Sequence, residues 1–254
     1  MNGRIIREGP FDNVFIQPAA MDSGCSLGAA FHIYHAFLNL PRRLIMTHAY
    51  LGPKFSRAEC KRALEDKGLK YESLKDNDIA PRTAKILSEG KLVAWFQGRM
   101  EWGPRALGSR SILTDPRDSK MKEIVNEKVK LREPFRPFAP SMLEEASTRY
   151  FGKNYDAPFM LLVFPVLQEK KKEIPAVVHV DGTARPQTVK REINPVYYDL
   201  IKEFEKITGV PVILNTSFNI QEPIVCTPHD AIKTFLKSQI DYLVMENLLV
   251  RRPD

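Results

Sequence analysis

The chain of 254 residues contains no run of 18 apolar residues of the kind a bilayer-spanning helix needs. Its first residues, Met1-Asn2-Gly3-Arg4-Ile5-Ile6-Arg7-Glu8, lack the apolar core of a signal peptide. No membrane contact is therefore expected, and a cytoplasmic location is the default. Cysteine is scarce: Cys25, Cys60 and Cys226 are widely spaced and form no CxxC pair, which points away from a disulfide framework and from a zinc site. The P-loop pattern, the GxGxxG fingerprint, HExxH and the GxSxG elbow are absent, so any use of ATP does not run through those devices. Internal repeats and low-complexity tracts are absent too.

What is present is an ordinary globular composition, 43% hydrophobic and 27% charged, with a net charge of +7. That excess admits a nucleic acid, a membrane surface or a small polyanion. Residues 99–136 hold ten Lys and Arg against six Asp and Glu, a local +4 that is more than half of the total. Such concentration favours a site over a diffuse basic surface, although a basic stripe is also the footprint of RNA binding.

The richest stretch is 98–114, Gly-Arg-Met-Glu-Trp-Gly-Pro-Arg-Ala-Leu-Gly-Ser-Arg-Ser-Ile-Leu-Thr, which follows the apolar strand Leu92–Phe96. Its glycines and proline prevent regular structure throughout, and it carries Arg99, Arg105 and Arg110. Guanidinium groups hold phosphate or carboxylate through paired donors, and glycine lets backbone N–H groups approach a ligand. An anion site is one reading; solvated arginines on a surface loop are the other. The segment 130–141, Lys-Leu-Arg-Glu-Pro-Phe-Arg-Pro-Phe-Ala-Pro-Ser, is stiffened by three prolines, so Lys130, Arg132 and Arg136 are either a prearranged cation cluster or part of a rigid surface connection.

Around these segments the pattern is α/β. A short strand from residue 13, a small-residue turn and a helix to about Leu38 are expected first, with Asp22 or Ser23 as cap. Ser56 and Glu59 have capping-box spacing. A helix to Asp66, a strand at 69–74, a helix at 78–88 and the strand 92–96 follow, then a helix at 119–130. Further on come a buried strand at 158–166 and a strand-turn-strand at 177–187, with His179 and Arg185 flanking Asp181-Gly182. Asn194-Pro195 begins a helix to Thr208, and the strand 210–214 delivers Asn215-Thr216-Ser217-Phe218-Asn219, short donors and acceptors at a strand end, where α/β sheets bind ligands. A turn without ligand is equally compatible with that set. A last helix from Thr227-Pro228 and a closing hairpin complete the chain.

Three blocks taken together, Gly98-Arg99…Glu101-Trp102-Gly103-Pro104-Arg105-Ala106-Leu107-Gly108…Arg110-Ser111-Ile112-Leu113, then 130–140, then Asn215–Asn219, closely resemble the O-carbamoyltransferases of the nodulation and antibiotic type. The resemblance implies a YrdC-like open, twisted mixed sheet with flanking helices over residues 52–254. It implies a remnant of an actin-like ATPase domain over 1–51. In that family the YrdC-like domain is taken to form carbamoyl-adenylate from ATP and carbamoyl phosphate, and the ATPase-fold domain to move the carbamoyl group to an acceptor hydroxyl. Carried over, the resemblance assigns Lys130, Arg136 and Arg185 to the reacting centre and Asn215 and Ser217 to the same site. It makes Arg105 and Arg110 phosphate contacts, with Arg99, Arg132 and Ser141 in support.

Adjacent negative charges on the two substrates call for cations and for Mg²⁺ bridging phosphate oxygens; no protein nucleophile is needed. Asp22 matches the family's aspartate at an iron-type divalent metal. The histidine pair that completes that site is not in this chain, and His32 and His35 do not replace it. The resemblance thus implies an incomplete transfer site, with a separate chain supplying the missing half as the candidate partner. A nucleic-acid-binding role and a non-catalytic subunit role are the alternatives; the amide and hydroxyl set at 215–219 argues against a salt-driven RNA binder.

Overall fold

A computed structural model describes residues 2–12 and 14–253. The chain opens with α1 (Asn2–Glu8) and α2 (Asp22–His32), the latter continued by a π-type turn over Ile33–Phe37. Residue 13, where an N-terminal strand is predicted to begin, lies outside the described residues, and 14–17 form no strand. Asp22 sits in the first turn of α2 and makes no side-chain cap. No residue of α2 or of its π-type turn is buried. Phe15, Met21, Phe37 and Ile45 lie 66–84% exposed, so this N-terminal stretch contributes little to the core.

Beyond it, α3 (Arg57–Glu65) carries the predicted reciprocal cap: the Ser56 hydroxyl accepts from the Glu59 N–H, and the Glu59 carboxylate accepts from the Ser56 N–H. Then come β1 (Glu72–Ser73), α4 (Asp76–Ser88), β2 (Val93–Phe96), β3 (Arg110–Thr114) and α5 (Met121–Val125), extended by a π-type turn over Asn126–Lys130. β4 (Ala139–Leu143), α6 (Ser147–Phe151), β5 (Phe164–Pro165), β6 (Thr183–Ala184) and β7 (Gln187–Val189) follow. The chain closes with α7 (Pro195–Thr208), β8 (Val212–Ser217), α8 (Pro228–Lys237), β9 (Tyr242–Met245) and β10 (Leu248–Arg251).

Eight of these strands form one open mixed sheet in the order β1-β10-β9-β2-β3-β8-β4-β7; β5 and β6 pair separately. Two inner strands are hidden in sequence. β3 begins on an arginine that closes a glycine-rich loop. β4 contains Pro140, which the sheet tolerates because pairing with β7 starts one residue later, at Ser141. The strands expected at 158–166 and 177–187 shrink to two-residue and three-residue pieces, because 158–163 and 177–182 have no neighbouring strand to pair with.

α4 and α7 cover the sheet together, and α7 is fixed at both ends. Asn194 Oδ1 accepts from the Tyr197 N–H, and Gly209 ends the helix at φ 74°. The core runs through Trp95, Phe96, Ile112, Phe204, Phe235 and Val244, all fully buried. No helix among the described residues is long and apolar enough to cross a membrane.

Candidate anion site

β8 is the inner strand on which the candidate residues converge. Residues two apart on a strand face the same side, so Asn215 and Ser217 point alike. Asn215, 1% exposed, donates to Ser141 Oγ at 2.9 Å, to Gln187 Oε1 at 3.3 Å and to the Ala106 carbonyl at 3.2 Å. The Ser141 hydroxyl donates to Gln187 Oε1 at 2.7 Å, and the Gln187 amide donates to the Leu107 carbonyl at 2.7 Å, which also accepts from the Tyr50 hydroxyl. This network ties β4, β7 and β8 to the loop after β2. It leaves Asn215 Oδ1 and the Tyr197 hydroxyl buried without a partner.

The loop itself is held from within by Glu101. Its Oε1 accepts from the N–H groups of Leu107 at 2.6 Å, Ser109 at 2.7 Å and Arg110 at 3.3 Å. Gly108, at φ 99°, lies against the Tyr197 ring; a Cβ there would come within 2.2 Å of it, so no other residue fits. Arg105 stands at the apex of this loop and Arg185 just before β7. Neither guanidinium donates to any protein acceptor or pairs with a carboxylate among the described residues, and the Nε of each is buried without a partner. Burial, with the charge of Arg105 nearby, pushes Arg185 down to about 10, so Arg185 remains cationic at neutral pH. Two neighbouring guanidinium groups without a protein counter-charge have the donor chemistry that an anion requires.

Two residues along β8, Lys130 closes the other side. Only 3% exposed, its ammonium donates to the Ser217 carbonyl at 2.6 Å and hydroxyl at 3.2 Å, and to the Asn219 carbonyl at 2.9 Å and Oδ1 at 2.8 Å. Those oxygens favour the charged form. Burial and the neighbouring Arg132 act against it and pull Lys130 down to about 7. Leu131, in the left-handed region at φ 46°, turns the chain after Lys130. Arg132 donates to Asn126 Oδ1 at 2.8 Å and lies 5.0 Å from the Phe138 ring centroid. Arg136 is exposed and pairs with Glu133 at 3.0 Å.

Three expected site residues are placed elsewhere. Arg110, expected as a phosphate contact, is fully buried. It stacks 3.6 Å over the Phe96 ring and donates to the Gln97 and Ser109 carbonyls at 2.9 and 3.0 Å, so it braces the loop from behind. Arg99 is exposed and donates to the Gly52 carbonyl at 3.1 Å. Asp22 is exposed on α2, and no group of three or more His, Cys, Asp or Glu able to hold a metal occurs among the described residues. The residues present therefore do not fit an iron-type metal at Asp22.

Sequence reasoning assigned no role to Glu101, Gln187, Tyr50 or Tyr197. The signal available for Glu101 was its position inside an arginine-rich glycine loop. A cavity of about 460 Å³ adjoins the network through Tyr50, Leu107 and Gln187, but its other walls are largely apolar and neither Arg105 nor Arg185 lines it.

Residues 84–252 match the family described as Carbamoyltransferase C-terminus, and residues 1–31 that described as Carbamoyltransferase N-terminus. The chain belongs to the carbamoyltransferase family. Among curated relatives of this chain, the nodulation protein NolNO of Sinorhizobium fredii is 44% identical over 99% of this chain and 38% of its own length. Nodulation protein NolO of Bradyrhizobium diazoefficiens is 43% identical over 99% and 47%. An uncharacterized protein of Synechocystis sp. is 43% identical over 99% and 45%. The chain thus spans less than half the length of these relatives. Among solved structures, P. abyssi Sua5 complexed with L-threonine superposes with a TM-score of 0.50 at 18% identity, covering 69% of this chain and 48% of Sua5, a likeness of fold alone. The mixed sheet of this chain is accordingly of the YrdC-like, open kind.

Proposed function

We propose that this carbamoyltransferase chain is the ATP-dependent activating part of a carbamoyl transfer system. The observation that carries the reading is the Arg105–Arg185 pair: adjacent cations with buried, unpartnered Nε atoms and no protein counter-charge. A polyphosphate supplies the missing acceptors, and ATP with carbamoyl phosphate brings such charge. Carbamoyl phosphate is hydrolysed to carbamate and phosphate. A carbamate oxygen then attacks the α-phosphorus of ATP, the bond to the β-phosphate breaks, and pyrophosphate leaves, giving carbamoyl-adenylate.

In this reading Arg105 and Arg185 hold the phosphates and stabilise the charge that develops on pyrophosphate. Lys130 fixes Ser217 and Asn219 as polar contacts, with Arg132 and Arg136 at the rim. Asn215 ties Ser141 and Gln187 to the Ala106 carbonyl and so shapes the wall of the site beside Arg105. No protein nucleophile is needed. Mg²⁺ would supply further neutralisation of the phosphate charge alongside Arg105 and Arg185; no group of three acidic or other metal-binding side chains stands among the described residues to hold it. Residues 1–51 are taken as part of a transfer domain, whose remainder carries the group to an acceptor hydroxyl. RNA binding is disfavoured by the placement of Arg105 and Arg185, which are half-buried rather than on an open stripe.

The test is ATP–pyrophosphate exchange. Exchange that depends on carbamoyl phosphate and falls at least tenfold in Arg105→Ala and Arg185→Ala supports the reading; exchange indifferent to both substitutions defeats it.

A further inference from the structure

The loop that carries Arg105 has no regular secondary structure between Gly98 and Ser109, yet its tip is sharply defined. Three consecutive-facing N–H groups, from Leu107, Ser109 and Arg110, converge on a single oxygen, Glu101 Oε1. Such a convergence of backbone donors is the geometry that holds anions; here a side chain of the same loop occupies it. The carboxylate closes residues 101–110 into a ring, and Arg105 lies midway round it. The carboxylate is 6% exposed and makes no salt bridge among the described residues, so it is not a solvated surface charge. Asn215, Gln187 and Tyr50 hold the Ala106 and Leu107 carbonyls from outside the ring, and Glu101 is the side chain that holds its N–H groups from within; the Arg105 guanidinium itself has no acceptor among the described residues.

We infer that Glu101 is a positioning residue: by clamping the N–H groups of Leu107, Ser109 and Arg110 it sets the loop so that the Arg105 guanidinium faces Arg185. The inference rests on the reading of that pair as a phosphate site. It requires an acceptor at the position of Oε1 and the reach of a glutamate side chain; it does not require the negative charge. Glutamine satisfies both needs. Aspartate keeps the charge but is one methylene short, so the loop has to shift by about an ångström to follow it, a displacement that is costly where orientation matters.

The experiment is calorimetric titration of ATP into the full chain for Arg105→Ala, Glu101→Gln, Glu101→Asp, Glu101→Ala and the Glu101→Ala/Arg105→Ala pair. Arg105→Ala is expected to weaken binding at least tenfold. Glu101→Ala is expected to do nearly the same, and the double variant to bind no more weakly than Arg105→Ala, because both act through one guanidinium. Glu101→Gln is expected to stay within about threefold of wild type and Glu101→Asp to bind more weakly than Glu101→Gln. A double variant whose loss is the product of the single losses would overturn the inference. So would wild-type affinity in Glu101→Asp combined with loss in Glu101→Gln, since charge rather than position would then be at work. If Glu101→Ala does not fold, the order of the glutamine and aspartate variants still decides. Wild-type affinity in Arg105→Ala would instead sink the phosphate-site reading itself, an outcome that can be told apart from the others.

Discussion

The loop after β2 and the segment around β7 and β8 carry cations of two kinds. Arg110 and Lys130 are buried and held by protein acceptors: the terminal nitrogens of Arg110 donate to carbonyls and its guanidinium stacks on Phe96, although its Nε has no partner, and Lys130 is ringed by four oxygens of Ser217 and Asn219. Arg105 and Arg185 are half-buried, and among the described residues no acceptor meets any of their guanidinium nitrogens, terminal ones included. The first kind builds the site; the second kind awaits an anion. Protein acceptors offset part of the cost of burying a cation, whereas a buried donor without one carries a cost that a ligand can return. The two groups should therefore respond to substitution with opposite signs.

The largest effect separates them directly. Arg105→Ala should cost about 2–4 kcal/mol in the ATP–pyrophosphate exchange reaction, judged from the loss of a single preorganised charge-stabilising donor, while leaving the urea midpoint near wild type. Arg110→Met should do the reverse: about 1–3 kcal/mol of stability lost, because the Gln97 carbonyl loses the Arg110 donor and the Ser109 carbonyl keeps only the Gln97 N–H, as read from urea unfolding. A midpoint unchanged in Arg110→Met would break the comparison.

A pH series sharpens it. Lys130 is held near 7 in the folded chain against an ordinary value near 10.5. Between those values the unfolded chain holds a proton that the folded chain lacks, so this group makes the protein more stable as pH rises from about 7 towards 10.5. The unfolding free energy of wild type relative to Lys130→Met should accordingly climb over that window; a flat difference would show Lys130 keeping an ordinary proton affinity. The smallest effects belong to the exposed cations: Arg99→Ala and Arg136→Ala should change stability by no more than about 0.5 kcal/mol.

Much of this was legible in sequence. The capping box at Ser56, the Asn194 cap, the helix ending at Gly209 and the closing hairpin of β9 and β10 all follow from local chemistry, and local chemistry is what a sequence displays. β3 and β4 were not legible: a strand that starts with arginine after a glycine loop and one that contains proline owe their existence to β8, which lies between them. The same limit applies to the site. Residue type marked Arg99, Arg105 and Arg110 alike as anion ligands on one loop, but the partner of each guanidinium is a tertiary fact. Nothing in the letters distinguishes Arg110, with carbonyls on its nitrogens, from Arg105, with none. Glu101 was hidden for the same reason, since its role lies in three backbone N–H groups brought round by the loop.

The most direct test of the central claim is a urea titration of wild type and Arg185→Met, each with and without saturating ATP. Without ATP the variant should be the more stable by about 1 kcal/mol, because methionine fills the same space with no unpartnered donor. With ATP the order should reverse, since ligand that binds only the folded wild type adds to its stability. A variant less stable than wild type without ATP, or equal stabilisation of both by ATP, would contradict the account.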